Sequence, residues 1–140
     1  MKPTIVIAAF VVAGGLGYAL WPAPLPPAAI SLADGQLADV VLPDVLSQNA
    51  QIGKLGYDAK CAACHGANAA GQDGVAPPLV HIIYEPSHHG DAAFQRAAAM
   101  GVRAHHWPFG DMPPVAGITA GDVTMITAYI RELQRANGIN

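Results

Sequence analysis

The sequence predicts an all-α domain of three or more helices wrapped around a bound group that is not protein. Three observations lead there. Three stretches place apolar residues at helical spacing between recognisable caps, and no stretch alternates long enough to make a strand. Large side chains are few: three Phe, four Tyr and two Trp in 140 residues, with alanine supplying much of the 52% apolar content. Finally, a loop of about 25 residues, rich in Gly, Pro, His and Asp, separates the first two helical stretches. A loop of that length in a compact domain implies that it wraps around something.

The first element is the N-terminal run "TIVIAAFVVAGGLGYALW", residues 4–21. No charged residue appears between Lys2 and Asp34. As a helix this run is about 27 Å long at ~1.5 Å per residue, close to the ~30 Å hydrocarbon core of a bilayer. Lys2 stays on the cytoplasmic side by the positive-inside rule, and Tyr18 and Trp21 suit the outer interface. Residues 1–21 are therefore expected to form a transmembrane signal anchor. The alternative is a cleavable signal peptide ending at "GYA", Ala19. Residues 22–45 begin with "PAPLPPAA", whose prolines favour an extended polyproline tether. Residues 46–140 form the folded domain, outside the cytoplasm on either reading.

The first helix of that domain is predicted over 47–63, with Ser47 as N-cap and Ile52, Leu55 and Ala59 as its apolar stripe. It runs into "CAACH", which holds the only two cysteines of the chain. C-x-x-C-H is the attachment signature of c-type haem. Residues three apart at a helix end share a face, so Cys61 and Cys64 are placed to add to the two vinyl groups of one porphyrin. His65 follows as the proximal iron ligand. Two rivals stand beside this reading. A redox dithiol has no use for the adjacent histidine and expects a strand–turn–helix setting. A structural zinc site needs two further ligands. The pairs His88–His89 and His105–His106 exist, but adjacent residues rarely point the same way.

"YEPSHHGD" is expected to be a solvated turn. The second helix is predicted over 91–100 and stopped by Gly101, with Met100 plugging the core. "RAHHWPFG" follows, where Arg103 and Trp107 could donate to haem propionates. The third helix opens on a capping box, Thr119 with Asp122, and carries Val123, Ile126, Ile130 and Leu133 as its stripe, with Gly138 past its end.

With these residues in hand, the chain resembles the class I cytochromes c over residues 46–139, and among them the small bacterial monohaem type with an N-terminal signal anchor. Gly53 and Tyr57 precede Cys61 by eight and four residues, as the family's glycine and aromatic do. The resemblance implies that they form the crossing with the C-terminal helix, and it places Tyr57 among the cofactor-binding residues. Pro77 lies twelve residues after His65 and Leu79 two further on. The resemblance implies that the Pro77 carbonyl holds the Nδ1 proton of His65 and that Leu79 packs on the haem. Ile126 and Tyr129 stand at the family's offsets from the distal methionine if that residue is Met112.

The candidate sixth ligands are Met100, Met112, Met125 and histidines 81, 88, 89, 105 and 106. Met112 is preferred. It lies in a loop between Gly110 and two prolines, where a side chain can be presented without helix constraints, and it agrees with the resemblance. A histidine ligand, or none, is the alternative. A thioether favours ferrous iron, and a six-coordinate iron has no vacancy for substrate. One haem c with His65 and Met112 on its iron thus predicts electron transfer and no enzyme activity. The expected partners are a redox donor and acceptor in respiratory-chain membrane complexes, met on the periplasmic side of the bacterial cytoplasmic membrane, or in soluble periplasmic form if the leader is cleaved. A haem subunit of a larger respiratory or dehydrogenase complex, an open-site gas-binding or peroxidatic protein, and a purely structural haem are the other classes. The net charge of −3 leaves no basic face for nucleic acid. The few lysines, with Arg96, Arg103, Arg131 and Arg135 spread over the domain, make strong lysine steering of partners unexpected.

Overall fold

A computed structural model of the chain describes residues 35–140. The expected anchor and the proline-rich part of the tether, residues 1–34, lie outside the described residues. Among the described residues no helix is long and apolar enough to cross a membrane.

Four helices carry the domain: α1 (Gln48–Lys60), the single turn α2 (Ala62–His65), α3 (Asp91–Met100) and α4 (Ala120–Ala136). Short 3-10 turns lie at Ala67–Ala69 and Ile82–Tyr84. The described residues form no strand, only two isolated bridges, Gln72 with Ala76 and Val102 with Met112.

Ser47 caps α1 as expected, its Oγ accepting from the Ala50 N–H. The same hydroxyl donates to Glu132 on α4 at 2.5 Å, so the cap also ties the two helices together. The buried face of α1 differs from the predicted stripe. Ala50, Gly53 and Tyr57 are buried, whereas Ile52 and Leu55 are 51% and 72% exposed and Ala59 is exposed. The cause is the closeness of the crossing. A Cβ on Gly53 would lie 1.8 Å from the Met125 carbonyl oxygen of α4. Only a face of small residues admits such an approach. Tyr57 then meets Tyr129 with ring centroids 5.6 Å apart, a tilted aromatic pair.

The predicted single helix over 47–63 is broken. Cys61 departs from helical φ at −119°, and α2 starts after it and ends at Gly66. Beyond His65 the chain turns sharply through Asn68 and Ala69, both left-handed, at φ 53° and 61°. This conformation costs roughly 1–2 kcal/mol for an alanine. Bonds from distant parts of the chain hold it: the Ala69 carbonyl accepts from Leu79 N–H at 2.9 Å, and Asn68 accepts from the Tyr129 hydroxyl at 3.2 Å.

α3 ends at Gly101, whose φ of 76° favours glycine and whose Cβ would meet the Met112 carbonyl oxygen at 2.4 Å. Met100 is 67% exposed, so it does not plug the core as expected; Ala98 is the buried residue of this helix. α4 has both halves of its capping box, Thr119 Oγ1 accepting from Asp122 N–H and Asp122 accepting from Thr119 N–H. Its stripe of Val123, Ile126, Ile130 and Leu133 is buried. Arg131, one of the arginines spread over the domain, is buried as well. It donates to Asp91, to the carbonyls of Tyr84 and His89 and to Gln134, and its guanidinium sits 4.9 Å from the Phe94 ring centroid.

Residues 35–45, placed by the sequence at the end of the tether, are bonded to the domain. Leu37 and Ala38 N–H donate to the Ala70 carbonyl, and the Asn137 side chain both donates to and accepts from the Val41 backbone at 2.9 Å.

Candidate haem site

The core of Tyr57, Val80, Ile126, Tyr129, Ile130 and Leu133 fills one side of the domain. On the other side a cavity of about 600 Å³ opens, within the range of about 300–1,000 Å³ usual for a cofactor site. Its walls come from α2, α3, the inner face of α4 and the loops around Pro77 and Met112.

The break at Cys61 is what aims the motif. The thiols of Cys61 and Cys64 are free, and Cys61, Cys64 and His65 all line the cavity. Burial, with Cys64 beside it, pushes the Cys61 thiol up to about 11. A redox dithiol needs a lowered thiol pKa to make its thiolate, so this environment argues against that rival. His65 is only 9% exposed, and its Nδ1 lies 2.9 Å from the Pro77 carbonyl oxygen. A carbonyl only accepts, so Nδ1 carries the proton and Nε2 keeps its lone pair for a metal. Burial holds His65 below the ordinary histidine pKa, against the opposing effect of the Pro77 bond. The neutral imidazole is the form that ligates.

Pro77 and Leu79 line the cavity, and Leu79 is half-buried between it and the core. Tyr57 does not line it. The ring is fully buried in the α1–α4 crossing, and its hydroxyl donates to the Gly66 carbonyl at 2.8 Å. Tyr57 thus positions the turn after His65 from behind the cavity wall. Met112 lines the cavity, half-buried, with its backbone fixed by paired hydrogen bonds to Val102, both 2.9 Å. Met100 reaches only the exposed rim, and Met125 is absent from the lining.

Two buried polar atoms have no hydrogen-bond partner among the described residues, Trp107 Nε1 and Thr127 Oγ1. Both residues line the cavity. Leaving such atoms unpaired costs about 1–3 kcal/mol each. An indole N–H asks for an acceptor, and a haem carries two propionate carboxylates beside an otherwise apolar macrocycle. The cavity fits that group: apolar walls, two thiols, a tautomer-fixed imidazole and an unmet donor. His81 meets the Trp107 ring edge-on at 5.1 Å and Phe109 stacks on it at 5.8 Å, so two rings hold the indole in place. Thr127 and the buried position of Arg131 escaped the sequence reading. Their spacing of four and eight residues from Val123 on the α4 stripe was the available signal.

No curated protein matches the chain. A family model for cytochrome c matches residues 50–134, from the first turn of α1 to the last turn of α4. That span holds the crossing, the C-x-x-C-H turn and the whole cavity wall, and the chain belongs to the cytochrome c family, which binds haem c and transfers electrons with it.

Proposed function

We propose that the chain is a monohaem, one-electron carrier whose iron is held by His65 and Met112, and that it is not an enzyme. The observation that carries this reading is the presence of both side chains on one cavity, each with its backbone or ring already fixed. Two cysteines allow one attachment turn, hence one haem c. When bound, the haem supplies an iron that alternates between ferric and ferrous states, one electron at a time. The protein's part is to keep that change small. Pro77 holds His65 in a single tautomer and orientation. The Val102–Met112 bridge and the two following prolines hold the thioether loop. Trp107 would offer its N–H to a propionate, and the apolar walls would keep water from the macrocycle.

Cytochrome c domains typically work outside the cytoplasm. The apolar run of residues 4–21 supports a membrane anchor with the haem domain on the periplasmic side, and respiratory-chain membrane complexes as donor and acceptor. Lys54 is paired with Asp58 at 2.5 Å, which leaves Lys60 as the one lysine without an ion pair among the described residues, too little charge for a lysine ring to steer a partner. A tether would replace such steering by raising the local concentration.

The test is Met112→Ala in the haem-loaded protein. The parent should show the weak near-infrared sulfur-to-iron band in its oxidised form and bind carbon monoxide slowly when reduced. The variant should lose the band, bind carbon monoxide readily and fall in potential, within the roughly 0.8 V range that axial ligands command. An unchanged band sinks the Met112 assignment. A parent that is already high-spin and open to carbon monoxide sinks the carrier reading.

A further inference from the structure

The loops flanking α3 bring together three imidazoles that the haem reading does not use. His88 and His89 lie in the turn before α3, where the N–H groups of both bond to the Glu85 carbonyl, at 3.1 and 2.8 Å. That turn overrides the expectation that adjacent histidines diverge: their ring centroids are 4.6 Å apart. His106 comes from the loop between α3 and α4 and stands 5.5 Å from His88 and 5.3 Å from His89, centroid to centroid. One ring nitrogen from each of the three lies within 4.8 Å of the others. His105 adds a fourth ring, 4.2 Å from His106. His89 and His106 also line the haem cavity, so the cluster sits at its rim.

We infer that His88, His89 and His106 form a binding site for one divalent transition-metal ion of the zinc or copper(II) kind. Imidazole nitrogen is the donor these ions share, and three such donors leave a coordination position for water. Two details distinguish the cluster from a chance crowd of surface side chains. His89 Nδ1 lies 2.6 Å from the Ile83 carbonyl oxygen, so Nδ1 carries the proton and Nε2 is left for a metal. The His89 backbone is fixed in turn, its carbonyl accepting from the buried Arg131 guanidinium. One ligand is therefore oriented in advance, and two exposed ones close on it. Nitrogens on a tetrahedral ion with bonds of about 2.0–2.1 Å stand about 3.3 Å apart. The rings of His88 and His106 are exposed and make no hydrogen bond among the described residues, so rotation about their side-chain bonds covers the remaining distance. A bound ion would join the turn before α3 to the loop that carries Met112.

The experiment is calorimetric titration of the full-length haem-loaded protein, freed of metal by a chelator, with zinc chloride and separately with copper(II) chloride. One equivalent of each should bind, copper more tightly than zinc by the usual order of divalent affinities. His88→Ala and His106→Ala should each weaken binding by about tenfold or more, and the double variant should lose the site. Both should keep the parent's helical circular dichroism, because neither ring supports the backbone. Equal zinc affinity in the parent and the double variant would overturn the inference, as would a stoichiometry well above one that the substitutions leave unchanged.

Discussion

The α1–α4 crossing and the cavity side are built on opposite principles. At the crossing, small residues let two backbones nearly touch, and Tyr57, Tyr129, Ile130 and Leu133 fill what is left with almost no exposure. On the cavity side the side chains stop short of one another, the walls are apolar, and Trp107 Nε1 and Thr127 Oγ1 find no hydrogen-bond partner among the described residues. The first region completes its own core. The second is a core with its centre supplied from outside. The difference teaches where the cofactor's contribution to folding is concentrated: in α2, α3 and the Met112 loop rather than in the helix pair.

The largest expected effect comes from breaking the crossing. In an exposed helix Gly→Ala stabilises by about 1 kcal/mol. At Gly53 the added methyl meets the Met125 carbonyl at 1.8 Å, and backbone cannot step aside as a side chain can. Gly53→Ala should destabilise by about 3 kcal/mol or more, read as a fall in thermal midpoint and in yield of haem-loaded protein. Full stability in this variant would show that the crossing is looser than described.

Arg131→Met tests the hinge between the two regions. It removes the guanidinium from the Phe94 ring and leaves the His89 carbonyl and the Gln134 side-chain oxygen without their donor, while the Tyr84 carbonyl keeps only its bond from Gln134 Nε2 at 3.0 Å. Asp91 is 73% exposed and can turn to water, so the cost lies in the carbonyls rather than in the lost ion pair. About 3 kcal/mol is expected from denaturant unfolding, with faster amide exchange in the turn before α3 than in α1.

A smaller loss, about 1 kcal/mol, is expected for Asn137→Ala, which releases the Val41 backbone at an exposed position. Limited proteolysis should then cut within residues 35–45 while the haem spectrum stays as it was. A domain beginning at Leu46 should fold but show the same deficit.

The mildest test is alkaline pH. Burial raises the Tyr129 phenol to about 12 and lifts Tyr57 further. Both folded values lie above the unfolded value of about 10. The stability these phenols contribute is therefore full below about pH 10 and is lost as pH rises toward 12. Ultraviolet titration should show two tyrosines ionising only with unfolding. Their ionisation in the folded protein at ordinary pH would mean that the crossing admits water.

What was legible in the sequence was local and contiguous. The caps at Ser47 and Thr119, the stop at Gly101 and the C-x-x-C-H turn each depend on residues within a few positions of one another. The buried face of α1 was not legible, because two stripes competed and the larger side chains suggested the wrong one. Hydrophobicity favoured Ile52 and Leu55, while the packing distance selected Ala50 and Gly53. The burial of Arg131 was not legible because its partners come from the start of α3 and the loop before it, some forty residues earlier in the chain. The strap at 35–45 follows a proline-rich run that announces a tether, so its attachment through Ala70, the Asn137 side chain and the packing of Val40 on the core was not legible. Histidine pairs were set aside on a rule about adjacent residues that a tight turn does not obey.

The Val102–Met112 bridge has a topological consequence. Its two hydrogen bonds, with a third from Ala104 N–H to Asp111 at 2.8 Å, pinch the chain into a neck. Everything from Arg103 to Asp111 hangs beyond that neck, and Met112 sits on the near side of it. For a flexible loop, doubling the length costs only about 0.6 kcal/mol in closure entropy. Residues could therefore be inserted near Pro108 without shifting the register of the thioether, so the loop can be lengthened or replaced while the methionine keeps its place.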